Sequence, residues 1–554
     1  MPLTRLFGDS NAKSCVDHAD WCDKLRVADG DLRQARSSAL KLDYDSATNQ
    51  IADAQKALDS IGSPDGPREV DLRLQIDSVV RALLLAAGFQ AQIDSSRADL
   101  VVGEPCTVSV SFQCRAGVNC PVKGPPEIWV GNRKSTNLVE ESNRGKSTGS
   151  FDAAQSAPTP LDLLLPELPS IADVILKDVA DPEKIRPVTV PITHVEATST
   201  SVVRLPLRIV PAYTLAAEPE QTVQVLDAPH RPLNVLLRVH SYSTKAANVS
   251  VGLDVPDGLT STAPVLLKFD GSGDLYAKLT VTPPANLAPG DYVIRAYAKR
   301  GDEKFSTSLE PLPSMPTLLW NEPAQTIIHA FSINVPPNLH LGYISAEGEP
   351  IPDAVRRLGI TVDLLDPNAL AFGSLSRFNA IVIGVRAYEL RPELASSNKR
   401  LLDYVSNGGT LLVQYNRDNI WDKLEPAPYP AKIGSPTPRI TDENAHVTFL
   451  KPEDPLLNRP NKITQADFDQ WIQERGLYFW SNFDSRYTPL LSMADPNEPP
   501  LNGGLVYTRF GNGVYIYTGL SFFRQLPEGV PGAYRLFVNL VSATTLQPMT
   551  PHKM

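Results

Sequence analysis

The chain has 554 residues, 42% of them hydrophobic and 21% charged, with 50 prolines. At roughly 150 residues per domain this suggests three or four globular domains, and a proline share well above the usual ~5% favours strands with many connections over long helices. A net charge of −10 without a dense basic stripe argues against a nucleic-acid partner, and the longest strongly apolar run, 82–89, is far short of the ~20 residues of a membrane helix.

The first residues, Met1-Pro2-Leu3-Thr4-Arg5-Leu6-Phe7, run directly into Gly8-Asp9-Ser10-Asn11, which gives no signal-peptide core, and the sequence assigns no compartment. The five cysteines stand at 15, 22, 106, 114 and 120, so cysteine-nucleophile chemistry is excluded from everything after them. Cys106, Cys114 and Cys120 read as structural thiols, free or paired. Cys15, His18 and Cys22 have a loosely metal-like spacing with no fourth ligand in view.

Residues 21 to about 95 are expected to be helical. Ala47, Ile51, Ala54, Leu58 and Ile61 mark one amphipathic helix, which ends at Gly62-Ser63-Pro64-Asp65-Gly66-Pro67. Leu72, Ile76, Val79, Val80, Leu83, Leu84 and Ala87 mark a second, and together they predict a helical hairpin within residues 1–96. From about residue 98 the period changes to two, with Leu100, Val102, Cys106, Val108 and Val110 alternating with polar residues. Residues 97–212 are therefore expected to form a β-sandwich, interrupted at 131–160 by a long polar loop.

A second all-β unit, 213–337, is expected to be an immunoglobulin-like sandwich. Its strands fall at 222–226, 233–239, 247–255, 265–268, 275–282 and 292–298, separated by turns such as Asp270-Gly271-Ser272-Gly273. Residues 338–546 alternate strands (339–344, 361–365, 380–384, 410–414) with helices (351–358, 394–405), a doubly wound α/β pattern. A hairpin around Gly511-Asn512-Gly513, a final helix at 532–541 and a tail at 547–554 complete the chain.

In such a sheet ligands bind beyond the carboxyl ends of the strands. Those ends carry Ser345 and Glu347, then Arg386, Tyr388 and Glu389, then Tyr415, Asn416 and Arg417. We take Arg386, Glu389, Tyr415 and Asn416 as the candidate ligand-binding set, the alternative being an internal Arg386–Glu389 ion pair that only holds the loop. A hydrolase of this topology needs Ser or Cys at the apex of a sharp strand-to-helix turn, and Gly384-Val385-Arg386-Ala387-Tyr388 supplies neither. His340 opens a strand, and His446 sits in an acidic stretch as a loop histidine or a base. Asp467, Asp469 and Glu474 beside Trp471 form either a sugar-like constellation or an acidic stretch with a core tryptophan. No two histidines lie within five residues of each other, and no phosphate-binding glycine loop occurs, so no catalytic residue, metal or cofactor is assigned.

Several stretches resemble the long C-terminal region of bacterial PIG-L-type N-acetylglucosamine deacetylases. They are Gly384-Val385-Arg386-Ala387-Tyr388-Glu389, Asn407-Gly408-Gly409-Thr410-Leu411, Gln473-Glu474-Arg475-Gly476-Leu477-Tyr478-Phe479 and Pro531-Gly532-Ala533-Tyr534-Arg535-Leu536-Phe537. Tyr517-Thr518-Gly519-Leu520 and Phe523-Arg524-Gln525-Leu526-Pro527 add to them. The stretch 279–298 is similar to the NEW3-like sandwich that precedes this region, and the last domain to class I glutamine amidotransferases. The family's catalytic His-Pro-Asp-Asp zinc motif and its His-x-x-His pair are absent from this chain. The resemblance therefore implies a non-catalytic accessory region, with a separate zinc deacetylase domain or a glycan as partner. The alternative is an α/β domain with its own glycan- or small-molecule-directed hydrolase activity, using carboxylates.

Overall fold

The computed structural model describes residues 19–61, 67–101, 104–118, 127–130, 133–134, 136–141, 146–152, 171–177, 185–197, 201–312, 315–346 and 348–545. It is a multi-domain chain built mostly from sheets.

Three helices open the described chain where the sequence suggested two: α1 (Ala19–Leu40), α2 (Tyr44–Asp59) and α3 (Pro67–Ala86). The Asp43 carboxylate caps α2 by accepting from the Ser46 amide at 3.1 Å. The anticipated apolar face closes against α1: Leu25, Ala28 and Ala35 share a core with Ile51, Leu58, Leu72, Ile76, Val79 and Leu83. α1 escapes a periodicity search because its buried positions are Cys22, Leu25, Ala28 and Ala35, mostly small side chains.

Residues 90–95, expected to be helical, instead form a strand. Gln90–Ser95 pairs antiparallel with Pro105–Gln113 and parallel with Ile185–Ala197, inside a nine-stranded sheet. That sheet also takes in Arg133–Lys134, Thr136–Glu141 and Lys146–Asp152, which the sequence suggested were loop. Pairing along the backbone ladder makes strands there without an apolar alternation. The rest of that expected loop, 131–132, 135, 142–145 and 153–160, lies outside the described residues, as do Cys15, His18, Cys120 and the tail. Cys22 and Cys114 each take part in a disulfide, whereas Cys106 is a free, buried thiol.

The second all-β unit packs two sheets face to face. One contains Tyr213–Glu218, Leu233–Ser241, Thr260–Ser261 and Gly273–Thr282; the other contains Gln221–Val225, Ala247–Asp254, Val265–Phe269, Gly290–Arg300 and Gln325–Phe331. Alternation puts Val235, Leu237 and Val239 of one sheet against Val249, Val251, Ile294, Ala296 and Ala298 of the other. Glu104, almost fully buried, ties this unit to the preceding sheet. Its carboxylate takes the Ser243 hydroxyl at 2.5 Å and Arg97 at 2.9 Å.

The last unit has a mixed sheet of β1 (His340–Ile344), β2 (Thr361–Leu364), β3 (Ala380–Ile383), β4 (Thr410–Gln414), β5 (Leu505–Phe510) and β6 (Gly513–Thr518). The order is β2-β1-β3-β4-β6-β5, extended by Thr488–Pro489, and the first five of these strands run parallel. β3 and β4 are buried throughout, as strands covered on both faces must be. The chain leaves β1 for β2 on one side and returns to β3 on the other, so the winding reverses between β1 and β3.

The sandwich and the α/β unit share one hydrophobic core. Val223, Val225, Phe331 and Ile333 of the former cluster with Leu341, Tyr343, Leu358, Tyr534 and Phe537 of the latter. At roughly 1.5–3 kcal/mol for each large apolar side chain fully buried, this seam holds the two units as one body.

Candidate functional site

The reversal between β1 and β3 fixes where a ligand crevice can open. Its walls are the 345–350 loop after β1, the turn after β3 and the residues after β4; Glu347 lies outside the described residues.

The turn after β3 has the sharp geometry expected of a nucleophile elbow, with an arginine at its apex. Arg386 adopts φ +58° and ψ 19°, a left-handed conformation that a non-glycine residue holds at a cost of about 1–3 kcal/mol. Two contacts hold it there: the Arg386 amide donates to the Tyr415 carbonyl at 2.9 Å, and the Tyr388 amide donates to Asn416 Oδ1 at 3.0 Å. The Arg386 guanidinium is already neutralised. Its Nε meets Glu389 Oε2 at 2.9 Å and its Nη2 meets Glu389 Oε1 at 2.8 Å. These bonds hold the Glu389 carboxyl below its ordinary range, with Arg417, 3.4 Å away, adding to the effect.

Of the four candidate residues, Arg386 and Glu389 are half-buried and paired with each other, while Tyr415 and Asn416 are buried. Tyr415 is buried beside the elbow, its carbonyl held by the Arg386 amide. Burial first, then the Tyr478 hydroxyl and Glu474, push the Tyr415 hydroxyl up to about 12, against the opposing pull of Arg386 and Arg524. Asn416 is fully buried, and its Nδ2 donates to the Gln414 carbonyl at 3.0 Å, so it braces the elbow and does not line the crevice.

Sequence spacing gave no sign of the aromatic half of this site. Tyr478 stacks on Tyr415 with ring centroids 5.1 Å apart, and Phe523 meets Tyr415 edge-on at 5.6 Å. Arg524 pairs with Glu474 at 2.6 Å beside them. Tyr478 arrives on a loop in which Gln470, Gln473 and Tyr478 all have positive φ. Tyr415 itself is buried, so the aromatic surface left here is that of the half-buried Tyr478 and Phe523, bordered by two Arg–Glu pairs.

A second polar group lies beneath, also unanticipated. Glu349 Oε1 accepts from the Tyr343 hydroxyl at 2.6 Å, the Val385 amide at 3.1 Å and Gln414 Nε2 at 3.4 Å. Glu349 Oε2 and Gln414 Oε1 are buried with no hydrogen-bond partner among the described residues. Burial raises the Glu349 carboxyl above its ordinary range. Gly384 is what lets the carboxyl in: a Cβ there would collide with Glu349 Oε2.

The other candidates disperse. Trp471 is buried against Phe468 and Phe522, and its Nε1 donates to the Asp467 carbonyl. Asp467 is buried and paired with Arg535 at 2.6 Å, while Asp469 is exposed. His446 is an exposed loop residue, and His340 lies at the amino end of β1, away from the crevice. Among the described residues no group of three or more His, Cys, Asp or Glu side chains is placed to hold a metal, and no helix is long and apolar enough to cross a membrane.

No protein-family model and no curated protein matches this chain. Solved structures with partial similarity include the Yersinia pseudotuberculosis adhesin InvE, at 14% identity over 39% of this chain and 59% of that one, with a TM-score of 0.16. The exo-β-1,4-mannosidase Op5Man5 from Opitutaceae bacterium strain TAV5 matches at 13% identity over 39% of this chain and 36% of that one, with a TM-score of 0.24. WR4, a C. elegans MSP family member, matches at 13% identity over 21% of this chain and 98% of that one, with a TM-score of 0.13. The chain spans less than two thirds of the first two, and at these scores the likenesses carry no functional argument.

Proposed function

We propose that the chain is a non-catalytic, carbohydrate-directed accessory region, equivalent to the part of PIG-L-type enzymes that lies C-terminal to their zinc deacetylase domain. In this reading residues 213–337 correspond to the NEW3-like sandwich and residues 338–546 to the class I glutamine amidotransferase-like domain. One observation carries it: the elbow presents Arg386, bidentate to Glu389, beside the stacked Tyr415 and Tyr478 rings. An arginine at the apex has no electron pair to offer a substrate. Aromatic faces bordered by fixed charged donors and acceptors suit the apolar face and the hydroxyl rim of a sugar ring. The test is calorimetric titration of the full chain with chitooligosaccharides, beside an acetate-release assay. Saturable binding weakened at least tenfold in Tyr478→Ala, without acetate release, is the expected result. Acetate release by the pure chain, or no binding, overturns the proposal.

A second reading, a carboxylate-based hydrolase, is favoured by one feature. Glu349, buried beneath the elbow, is pushed up and Glu389 is held down, the divergence expected of an acid and its partner base. Hydrolysis of aryl glycosides that disappears in Glu349→Gln would select it over the first.

A further inference from the structure

We propose that the seam between the sandwich and the α/β unit contains a second binding site, for a small organic molecule with an oxyanion head, phosphate or carboxylate. A cavity of about 230 Å³ opens there. Its walls come from both units: Thr222, Pro229, Arg231 and Pro283 from the sandwich, and Arg357 and Leu358 from the α/β unit. Two arginines, one from each unit, thus line one small space. The Arg231 guanidinium lies over Gly359, whose Cβ position would be 3.9 Å from one of its nitrogens. Among the described residues no carboxylate pairs with Arg231 or Arg357, and Arg231 makes no hydrogen bond. Arg357 donates to the Pro527 carbonyl at 3.2 Å and also lies against the Tyr534 hydroxyl.

This contrasts with the crevice, where Arg386 is neutralised by Glu389 and Arg524 by Glu474. Neither arginine has the charge-assisted carboxylate partner that guanidinium forks usually find, and the space beside them has proline and leucine walls. A single oxyanion between them would answer both, the Thr222 hydroxyl could add a donor, and the apolar walls would take an aliphatic or ring body. The shared core keeps the two walls at a fixed separation, so the site is formed before its ligand arrives.

The test uses the full chain in chloride buffer at constant ionic strength, titrated calorimetrically with inorganic phosphate and, separately, with succinate. Saturable binding of either is expected: phosphate alone assigns a phosphoryl head, succinate alone a carboxylate, and both a general oxyanion seat. Arg231→Gln should weaken that binding at least tenfold. Arg231 is exposed and without a partner among the described residues, so this variant should keep the native unfolding midpoint. Arg357→Gln should weaken binding similarly, and Arg386→Gln should leave it unchanged. Absence of saturable binding, native-strength binding by Arg231→Gln, or loss confined to Arg386→Gln each overturns the proposal. Because the chitooligosaccharide titration reads the crevice alone, either site can fail independently of the other.

Discussion

Tyr415 and Tyr478 lie nearly parallel, their planes 17° apart, although they come from a strand end and a loop 63 positions further on. Tyr478 holds this place at φ +54°, and its carbonyl takes the Tyr517 hydroxyl at 2.6 Å. An aromatic pair contributes about 0.5–1.5 kcal/mol beyond its burial. Tyr478→Ala should therefore lower stability by about 1–2 kcal/mol in urea denaturation. Tyr478→Gly should recover part of that, since glycine relieves a left-handed conformation costing about 1–2 kcal/mol. Equal losses in the two variants would show that the backbone there is unstrained.

Glu349 should leave a signature in the pH dependence of stability. Its carboxyl is raised in the folded chain, so the folded state keeps a proton that the unfolded state has already released. Stability from this group is full below the ordinary carboxylate range, near pH 4. It is lost as pH rises through the raised value. Glu349→Gln removes the titration, and its amide can donate to the unpartnered Gln414 Oε1. The variant should match the native chain near pH 4 and unfold at a higher temperature near pH 8. Parallel melting curves at both pH values would refute the assignment.

Arg475 is a buried cation held by carbonyls. It donates from Nε to the Ala445 carbonyl at 3.1 Å and from Nη1 to the Phe468 carbonyl, with its guanidinium 5.7 Å from the Trp471 ring centroid. Burial pulls it down to about 10, against the attraction of Asp442 and Asp469, so it stays charged at neutral pH. Arg475→Met strands two carbonyls, at about 1–3 kcal/mol each. A loss of roughly 2–5 kcal/mol is expected from urea midpoints, and a loss below about 1 kcal/mol would mean that water replaces the guanidinium.

The β5–β6 hairpin depends on Gly511. It has φ +61°, and a Cβ there would collide with the Ser406 carbonyl oxygen, to which the Asn512 amide donates at 2.9 Å. Gly511→Ala should cost about 1–3 kcal/mol by combining strain with that collision. A smaller change in the urea midpoint would show that the tip can lift off the end of the Glu393–Ser406 helix.

The fold was legible in the sequence wherever a local period reports burial. Alternation over 233–239 and 247–255 located Leu233–Ser241 and Ala247–Asp254 almost to the residue, because each strand buries one face. The buried run before Gly384 marked β3 equally well, since both of its faces are covered. Helix α1 was hidden by its alanines. The site was half visible: Arg386 and Tyr415 come directly after their strands, which topology alone predicts. Tyr478 and Phe523 reach the crevice from a loop and a short helix whose path no local period encodes. Glu349 stands two positions after Glu347 in a loop already singled out, but only the burial of its carboxyl beneath Gly384 sets it apart.

The core shared across the sandwich and the α/β unit bears on how this chain can be rearranged. Val223, Val225, Phe331 and Ile333 have no other apolar layer to enter. A recombination event that moved the α/β unit alone onto another protein would leave an oily scar on both fragments. Inheritance should therefore carry the two as a single cassette, and a calorimetric scan of residues 213–545 should show one endotherm where two independent modules would give two.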